Sequence, residues 1–501
     1  MKRLIQKHLL KRVSTTGLGV FRFLFCLVLF FEVLFIYRHK ELYYGQLPDL
    51  TFSNPYIPTL LLCWLLILLL LAFGVATRIT ALVNYILAVY LLGSFPGTIY
   101  HMAYTYLGAS FLFVCLPVGR SFSVDDLWRR KRTENLTKPQ TIHVCAYYLT
   151  ILIGVGVVYL DSILFKVKSD VWTNGLGLWL PASLPHFSNV QWGWLLNQKY
   201  VLLFFGYLTF AFELVFPFTF FLKRMRIPLF VVGFMLHLGI LIFFPIPYFA
   251  LGVLALYVLL LPIGWWDQFQ TKVYRWFGVD GSVSETTPLV LRNPWNKKVV
   301  IGYGLLTLLL LLFQFNASFN FPFSGAINSR LANYPEYKEE ISFAKDQKKA
   351  VRQFSKKYLG ITPHGVFVDN HYRNFDELYA LEHRGEILPM FDEKGAPGPY
   401  LQGGLWVHYL FRVNRSIEVQ SRGNLKDGLS RYGGYWIQQQ SSSDSITTLT
   451  IVRKKVAVNF QWQKDWLQKN LDYEWEEVGE LIWDGTTITM KLWEETTIKK
   501  P

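Results

Sequence analysis

Long apolar segments dominate the first 316 residues of the chain, and short polar segments separate them. A helix that crosses a bilayer needs about 20 predominantly apolar residues. Nine segments approach or reach this length: 17–37, 58–77, 80–99, 102–118, 142–164, 199–222, 227–245, 247–265 and 299–315. Those at 80–99, 102–118 and 247–265 are short or interrupted. The pattern predicts an α-helical polytopic membrane bundle of about nine transmembrane helices over residues 1–316.

Clusters of Lys and Arg lie in alternate gaps between these segments. They are Lys2, Arg3, Lys7, Lys11 and Arg12, then Arg129–Arg132, then Lys223, Arg224 and Arg226, and finally Lys297 and Lys298. Cytoplasmic loops of membrane proteins carry an excess of Lys and Arg. The alternation therefore predicts a cytoplasmic N-terminus. With nine spans, it places everything after about residue 316 on the outer side.

The net charge of +15 is spread unevenly along the chain. Residues 1–316 contain 26 Lys and Arg against 12 Asp and Glu, whereas residues 317–501 contain 24 against 23. A nucleic-acid binder concentrates its positive charge on a soluble domain. Because the excess here adjoins apolar segments, we expect no nucleic-acid partner. The composition, with 52% hydrophobic residues, instead indicates a multi-pass integral membrane protein in contact with membrane lipid.

Cysteine usage bears on the compartment of the tail. All four cysteines fall in apolar segments, so no disulfide framework is expected after residue 316. They are Cys26, Cys63, Cys115 and Cys145. We expect a bacterial inner-membrane protein whose C-terminal domain lies in the periplasm, with a eukaryotic lumen as the alternative.

The gap at 165–198 is unusually apolar for a loop. It contains Trp172, Trp179, Trp192 and Trp194 together with several glycines and prolines. Tryptophan is enriched where a membrane meets water. We therefore predict a re-entrant or interfacial lid at this position.

The tail has a different pattern. Residues 317–360 are predicted to form a charged, partly helical linker, and residues 361–501 a β-rich extracytoplasmic domain. Short alternating runs predict strands near 365–369, 405–410, 447–452 and 487–492. Residues 454–478 are expected to add a helix.

Ionisable residues within the apolar segments are costly, by about 2.5–3.5 kcal/mol each for a charge at the helix centre, and so each needs a reason. They are Arg22, Glu32, His101, His143, Asp161, Glu213 and His237. The predicted topology allows Glu213, His237, His101 and Asp161 to lie near Lys166 toward the outer side. This predicts an outward-facing polar pocket. For each residue alone, a buried hydrogen bond or ion pair that fixes helix packing is the alternative.

Several short motifs resemble those of one membrane family. They are Gly19–Phe23, Tyr100–Tyr104, Pro117–Asp125, Tyr159–Lys166 with Trp172 and Gly175, Glu213–Phe218 and Leu236–Leu238. Their order over residues 10–315 resembles HTTM-domain proteins, the family related to the vitamin K-dependent gamma-glutamyl carboxylase. The resemblance implies a reduced quinone as cofactor. In that chemistry a lysine deprotonates the hydroquinone, oxygen adds, and the strong base that forms removes a glutamate γ-proton before CO₂ adds.

The resemblance also implies roles for individual residues. Catalytic roles would fall to Lys166, His237, His101 and Glu213. Ligand binding would fall to Arg22, Tyr159, Asp161, Lys168 and Trp172. No metal site is expected. The carboxylase has adjacent lysines where this chain has Lys166-Val167-Lys168, so either lysine could match the family lysine.

Two functions follow from these observations. One is a carboxylase-like enzyme that acts on a quinone, a lipid or an exported polypeptide at the outer leaflet. The other is a non-catalytic membrane subunit or maturation factor whose C-terminal domain binds an exported protein or peptide. Transport is disfavoured, because the sequence shows no inverted repeat with matched broken helices.

Overall fold

The computed structural model describes residues 11–93, 100–132, 140–279, 294–318, 338–373, 376–414, 422–440, 446–485 and 487–493. The predicted linker at 317–360 therefore lies partly outside the described residues. So do Lys2, Arg3 and Lys7 of the first basic cluster.

Apolar helices account for most of the first 318 residues. Their bounds are α1 Thr16–Arg38, α2 Lys40–Tyr44, α3 Ile57–Phe73, α4 Thr77–Gly93, α5 His101–Cys115, α6 Val124–Arg132, α7 Cys145–Lys166, α8 Asp170–Thr173, α9 Trp179–Ala182, α10 Gly193–Leu196, α11 Lys199–Thr219, α12 Arg226–Phe243, α13 Pro247–Leu260, α14 Ile263–Trp276 and α15 Pro294–Ser318. Short strands β1 Arg12–Ser14 and β4 Thr141–His143 pair with each other, as do β2 Gly45–Gln46 and β3 Thr51–Phe52. The predicted helical membrane bundle is confirmed.

Among the described residues, five helices are long and apolar enough to cross a bilayer: α1, α7, α11, α12 and α15, the last counted from Lys297. Two shorter apolar helices, α3 and α4, follow α1 and the short helix α2 in the sequence. Few residues of α12, and of α15 from Lys297 onward, are fully buried inside the protein, as in helices that face lipid. The count of nine spans and the orientation of the chain stay predictions.

The segment predicted as the eighth span does not continue straight. The chain bends by 102° between α13 and α14, next to Pro262, which cannot donate a helix hydrogen bond. Helix α14 buries Asp267, Gln270 and Tyr274 and exposes Trp265 and Trp276. An aromatic face of this kind is typical of a helix that lies along a membrane surface.

Contacts divide the loops into two sets. Around the start of α1, the Ser14 hydroxyl donates to Asp267 and the Thr77 hydroxyl donates to Asp125, so each bond joins two of the polar gaps between apolar segments. At the other end of α1, the tail contacts the remaining gaps. Tyr435 hydrogen-bonds His39, and the Trp406 indole donates to the His186 carbonyl. These described contacts of the tail therefore lie at the end of α1 opposite to the bonds around its start.

The predicted lid over 165–198 is a chain of short elements, α8 to α10 with a single 3₁₀ turn at Pro185–Phe187. Trp172 and Trp179 are buried, and Trp194 is 67% exposed. Burial lowers the pKa of His186 to about 3, so this ring is neutral at physiological pH. The centre of the lid is thus packed between the bundle and the tail, and its last tryptophans face outward.

Helix α11 packs unusually close to this lid at a glycine. A Cβ atom added to Gly206 would lie 2.1 Å from the carbonyl oxygen of Gly175. Gly175 has a φ of +74°, a conformation that few other residues adopt.

Gly206→Ala is expected to lower the melting temperature of the detergent-purified protein, because the backbone of the lid must shift to admit the methyl group. Such overpacking typically costs about 1–3 kcal/mol. Gly239→Ala on α12 is the matched control, since nothing lies within 4 Å of its added Cβ. An equal melting temperature for the two variants would contradict the close contact.

The tail contains helices as well as the predicted sheet. Its elements are α16 Lys338–Leu359, β5 Glu377–His383, β6 Glu386–Ile387, α17 Gly403–His408, α18 Arg422–Gln439, β7 Thr447–Lys455, α19 Trp466–Leu471, β8 Trp475–Trp483 and β9 Ile488–Leu492. The strands form one antiparallel sheet of order β6-β5-β7-β8-β9. At Gly433, α18 approaches the side chains of Leu481 and Leu381 closely. The C-terminal sheet is confirmed, and the two predicted strands at 447–452 and 487–492 belong to it.

Two other predicted strands were wrong. Residues 405–410 are helical, and residues 365–369 are an irregular segment that leads into a 3₁₀ turn at Asp369–His371. Leu405, Trp406, Tyr409 and Leu410 are buried. This spacing fits one face of a helix rather than the alternation of a strand. The helix expected over 454–478 is confined to α19, because β8 occupies the end of that range.

Candidate functional site

Helix α7 presents two different faces to the rest of the molecule near its C-terminal end. Tyr159 and Lys166 are seven residues apart, so they lie on one face. Asp161 lies on another face, together with Val157. The polar residues predicted to share one pocket accordingly form two groups, one on each face.

The first group centres on Lys166. Its Nζ lies 2.6 Å from Oε1 of Glu213 on α11, and both side chains are almost completely buried. The same nitrogen lies 4.0 Å from the centre of the Trp172 ring at the start of the lid. The ammonium group thus has a carboxylate partner and an aromatic face in a site shielded from water.

Lys168 is in a different environment. It is exposed, whereas Lys166 is 5% exposed. Helix α7 ends at Lys166, so the chain has already left the helix at Lys168. Only Lys166 takes part in the buried ion pair.

Aromatic residues and His237 complete the first group. The hydroxyl groups of Tyr159 and Tyr257 hydrogen-bond each other. His237 lies with its ring centre 5.3 Å from that of Tyr257 and 6.5 Å from that of Tyr159. Its Nδ1 is 2.9 Å from the Gly233 carbonyl, which can only accept, so Nδ1 carries a proton.

One oxygen in this group has no partner among the described residues. Oε2 of Glu213 is buried and makes no hydrogen bond there. A buried acceptor of this kind calls for an explanation, and it would suit a hydroxyl donor. The rings of Trp172, Tyr159 and Phe212 lie nearby, with Trp172 facing Nζ of Lys166 and Tyr159 packed edge-on against Phe212. A hydroxyl donor on a flat ring is the chemistry of the reduced quinone that the resemblance implies.

The second group joins α7 to the tail. Oδ2 of Asp161 accepts a hydrogen bond from the backbone N–H of His364 at 2.5 Å and lies 3.3 Å from Nδ1 of the same residue. His101 lies beside this pair, with its ring centre 5.6 Å from that of His364. Asp161 and His101 are therefore together, but they are not beside Lys166.

A cavity of about 50 Å³ adjoins the second group. His364, Gln314 and Thr105 supply its polar lining, and apolar residues of α5, α7, α13 and α15 supply much of the rest. Residues 152–156 of α7, two of which line the cavity, form a π-helical turn. Such turns occur frequently at functional sites. Lys166 and Glu213 do not line this cavity.

Arg22 lies away from both groups. It is fully buried and donates to the carbonyl oxygens of Val118 at 2.7 Å, Ala72 at 3.2 Å and Phe122 at 2.5 Å. Val118 and Phe122 lie in the loop after α5, and Ala72 lies at the end of α3. The described contacts of Arg22 are thus structural, although the resemblance implies ligand binding.

Some residues of these groups could not be recognised from the sequence. Tyr257, His364, Phe367 and Asp369 adjoin the site, but none of them stands in an apolar segment as an isolated charge. Glu32, an ionisable residue of the first apolar segment, accepts hydrogen bonds from Tyr100 and Tyr106 in a third buried cluster. The sequence does not show that the tail docks beside the end of α7. It therefore does not reveal that Asp161 pairs with His364, or that Asp369 bonds Ser169.

Comparisons with known proteins give one match. A family model described as the HTTM domain matches residues 10–265, which cover α1 to α13 and the start of α14. No curated protein and no solved structure matches the chain. The match ends well before the tail.

Proposed function

Because this chain belongs to the HTTM domain family, which is found in vitamin K-dependent carboxylase-like proteins, we propose that it is a carboxylase-like membrane enzyme. Lys166 is its base, and its ligand is a lipophilic quinol at the outer leaflet. The observation that carries this proposal is the buried ion pair of Lys166 with Glu213 under the Trp172 ring. A lysine acts as a base only in its neutral form, which removal from water favours in general, and Glu213 is the group in contact that can take the ammonium proton.

Each residue of this site has a different role in the proposed reaction. The 2.6 Å contact between Nζ of Lys166 and Oε1 of Glu213 allows a proton to move from the amine to the carboxylate. The neutral amine then has a lone pair with which to accept a proton from a ligand hydroxyl. Oε2 of Glu213 would accept a hydrogen bond from the ligand hydroxyl, and Trp172 would position the Lys166 amine. A reduced quinone, when bound, would supply the acidic hydroxyl and the reducing electrons.

Burial supports a catalytic role for this pair over a purely electrostatic one. Two charges buried together often contribute little net stability, because their desolvation offsets their attraction. A buried pair that adds little net stability and lies under the Trp172 ring is a candidate for a functional role. His237 has its Nδ1 fixed by Gly233, which orients its other nitrogen.

The tail supports a second candidate function, the binding of an exported protein or peptide without catalysis. Strand β9 is at the edge of the described sheet, with β8 on one side only. An edge strand can pair with an extended peptide. Loss of partner binding on a β9 substitution, with quinol oxidation absent from the wild type, would favour this second function.

A quinol assay tests the first proposal. The protein in lipid nanodiscs, given a reduced naphthoquinone in air, is expected to oxidise it faster than protein-free nanodiscs do. Glu213→Gln is expected to lower this rate by about 10² to 10⁴, the usual contribution of a positioned acid–base group. Oxidation is followed by absorbance.

The matched control for this assay is Glu41→Gln. Glu41 forms a comparable ion pair with Lys40 at 2.8 Å, but this pair is partly exposed and away from the site. Its rate should equal that of the wild type. A wild-type rate no higher than that of empty nanodiscs, or a Glu213→Gln rate equal to that of Glu41→Gln, would refute the proposal.

A further inference from the structure

The tail segment 361–373, here called the strap, reaches the start of the lid from outside the matched HTTM region. The strap residue that makes the most hydrogen bonds to the lid is Asp369, which is 7% exposed. Oδ1 of Asp369 accepts hydrogen bonds from the Ser169 hydroxyl at 2.7 Å and from the Val171 N–H at 3.1 Å. Oδ2 accepts one from the Asp170 N–H at 2.8 Å. One carboxylate therefore fixes three consecutive residues.

Those three residues connect Lys166 to Trp172. The chain leaves α7 at Lys166, passes through 169–171 and reaches Trp172 within six residues. Hydrogen bonds from neutral donors to a buried carboxylate are stronger than those between neutral groups. The conformation of this short connection is thus set by a side chain about 200 residues away in sequence.

The strap also holds the indole ring directly. Nε1 of Trp172 donates to the Phe367 carbonyl at 2.7 Å. On its other side the ring packs against Gly177, where an added Cβ would lie 2.3 Å from a ring atom. The ring is therefore held between the strap and Gly177 in the pose that covers Nζ of Lys166.

A further contact attaches the strap to α7 itself. His364 at its start bonds Asp161 through backbone and ring nitrogens. Arg373 at its end lies 3.2 Å from Asp170 and 3.6 Å from Asp369. Because Arg373 is half-exposed, solvent screens that pair and it adds little. Asp369 is the contact with the greatest consequence.

We propose that Asp369 is a positioning residue of the Lys166 site, which acts by fixing residues 169–171 and so the Trp172 ring over the Lys166 amine. The inference rests on the function proposed above. It assigns part of the site to the tail, so that the membrane domain alone does not form the complete site. The strap keeps Lys166 paired with Glu213 and shielded from water.

Chemical labelling of the lysines tests this directly. The intact protein in nanodiscs is treated with an amine-acylating reagent, and mass spectrometry gives the ratio of labelling at Lys166 to that at Lys168. Exposed Lys168 is an internal reference in the same peptide. In the wild type the ratio is expected to be low. Asp369→Ala is expected to raise it by at least about tenfold, since loss of a hydrogen bond to a charged group changes an equilibrium by that factor or more.

Two milder variants test the same contacts with a smaller risk of misfolding. Asp369→Asn keeps one acceptor oxygen and should give an intermediate ratio. Trp172→Phe keeps a ring but loses the bond to Phe367, and should also raise the ratio. Quinol oxidation in Asp369→Ala is expected to fall by about 100-fold, the effect of displacing a reacting group by an ångström.

Asp392→Asn is the matched control. Asp392 also accepts two backbone N–H hydrogen bonds in the tail, from Lys394 and Ala396, but it lies in a separate turn. Its labelling ratio and activity should equal those of the wild type.

The outcomes separate this inference from the proposed function. If Asp369→Ala and Trp172→Phe leave the labelling ratio unchanged, Asp369 does not position the site, even where Lys166 is essential for activity. If the ratio rises while Lys166→Ala retains full quinol oxidation, the strap holds Lys166, but Lys166 is not the base. A rise of the same size in Asp392→Asn would also overturn the inference, since it would reflect general loosening of the tail.

Discussion

Lys166→Ala is expected to reduce quinol oxidation by about 10² to 10⁴, the contribution of a positioned base, whereas Lys168→Ala should leave the rate near that of the wild type. The two lysines are two residues apart and carry the same charge. Only Lys166 is buried, ion-paired with Glu213 and covered by Trp172. The measurement is the rate in nanodiscs at saturating quinol, normalised to the amount of folded protein.

A loss of activity in Lys166→Ala could also arise from instability, because the variant leaves the Glu213 carboxylate buried without its partner. Removing one member of a buried pair typically costs about 3–5 kcal/mol. The double variant Lys166→Met with Glu213→Leu removes both charges, and such replacements are often neutral or stabilising. We expect this double variant to recover the wild-type melting temperature but not the activity. Recovery of activity as well would show that the pair is only structural.

Arg22→Met is expected to lower the stability of the membrane domain by about 3–5 kcal/mol, since it leaves buried polar groups without their charged donor. The lost bonds are those to the carbonyls of Ala72, Val118 and Phe122. They tie α1 to the end of α3 and to the loop after α5. Thermal or denaturant unfolding of the protein in detergent measures the effect.

Arg78→Ala is the control for this experiment, because Arg78 is an exposed arginine at the same end of the bundle. It should unfold as the wild type does. If Arg22→Met matched Arg78→Ala in stability but lost quinol oxidation, the ligand-binding role implied by the family resemblance would stand, and the structural role would not.

Several features of the site could be predicted from local sequence. Charged residues in apolar segments are rare, so Glu213, Asp161 and His237 stood out as isolated polar positions. The family motifs also marked Lys166 and Trp172 as candidate site residues. The first signal depends on residues within one or two helical turns, and the second on the order of short motifs along the chain.

Other features depended on the rotation of helices about their axes. Asp161 and Lys166 are five residues apart on α7, and they face different neighbours. Asp161 meets His364 of the tail, and Lys166 meets Glu213 of α11. In a very apolar helix the hydrophobic pattern does not show which side faces which partner. A single pocket was therefore the simplest prediction, and the structure shows two groups.

The tail shows the same limit in a different form. Over the six residues 405–410, the apolar positions fit both the two-residue period of a strand and the period of a helix. The strand was predicted from the two-residue alternation. Gly403 and Gly404 allow the chain to turn there, and burial against the bundle selects the helix. Short apolar runs of this length are ambiguous by periodicity alone.

The sequence by itself determined that this is a polytopic helical membrane protein with a separate C-terminal sheet and HTTM-like motifs. Segment length and charge are properties of consecutive residues. They determine directly which segments can cross a bilayer and which loops are favoured on the cytoplasmic side. Only the tertiary structure decided that Lys166 rather than Lys168 is paired, that Arg22 stands apart, and that Asp369 of the tail holds the lid. These are contacts between residues up to about 200 positions apart. They depend on how helices rotate and where the tail docks, which no local pattern specifies.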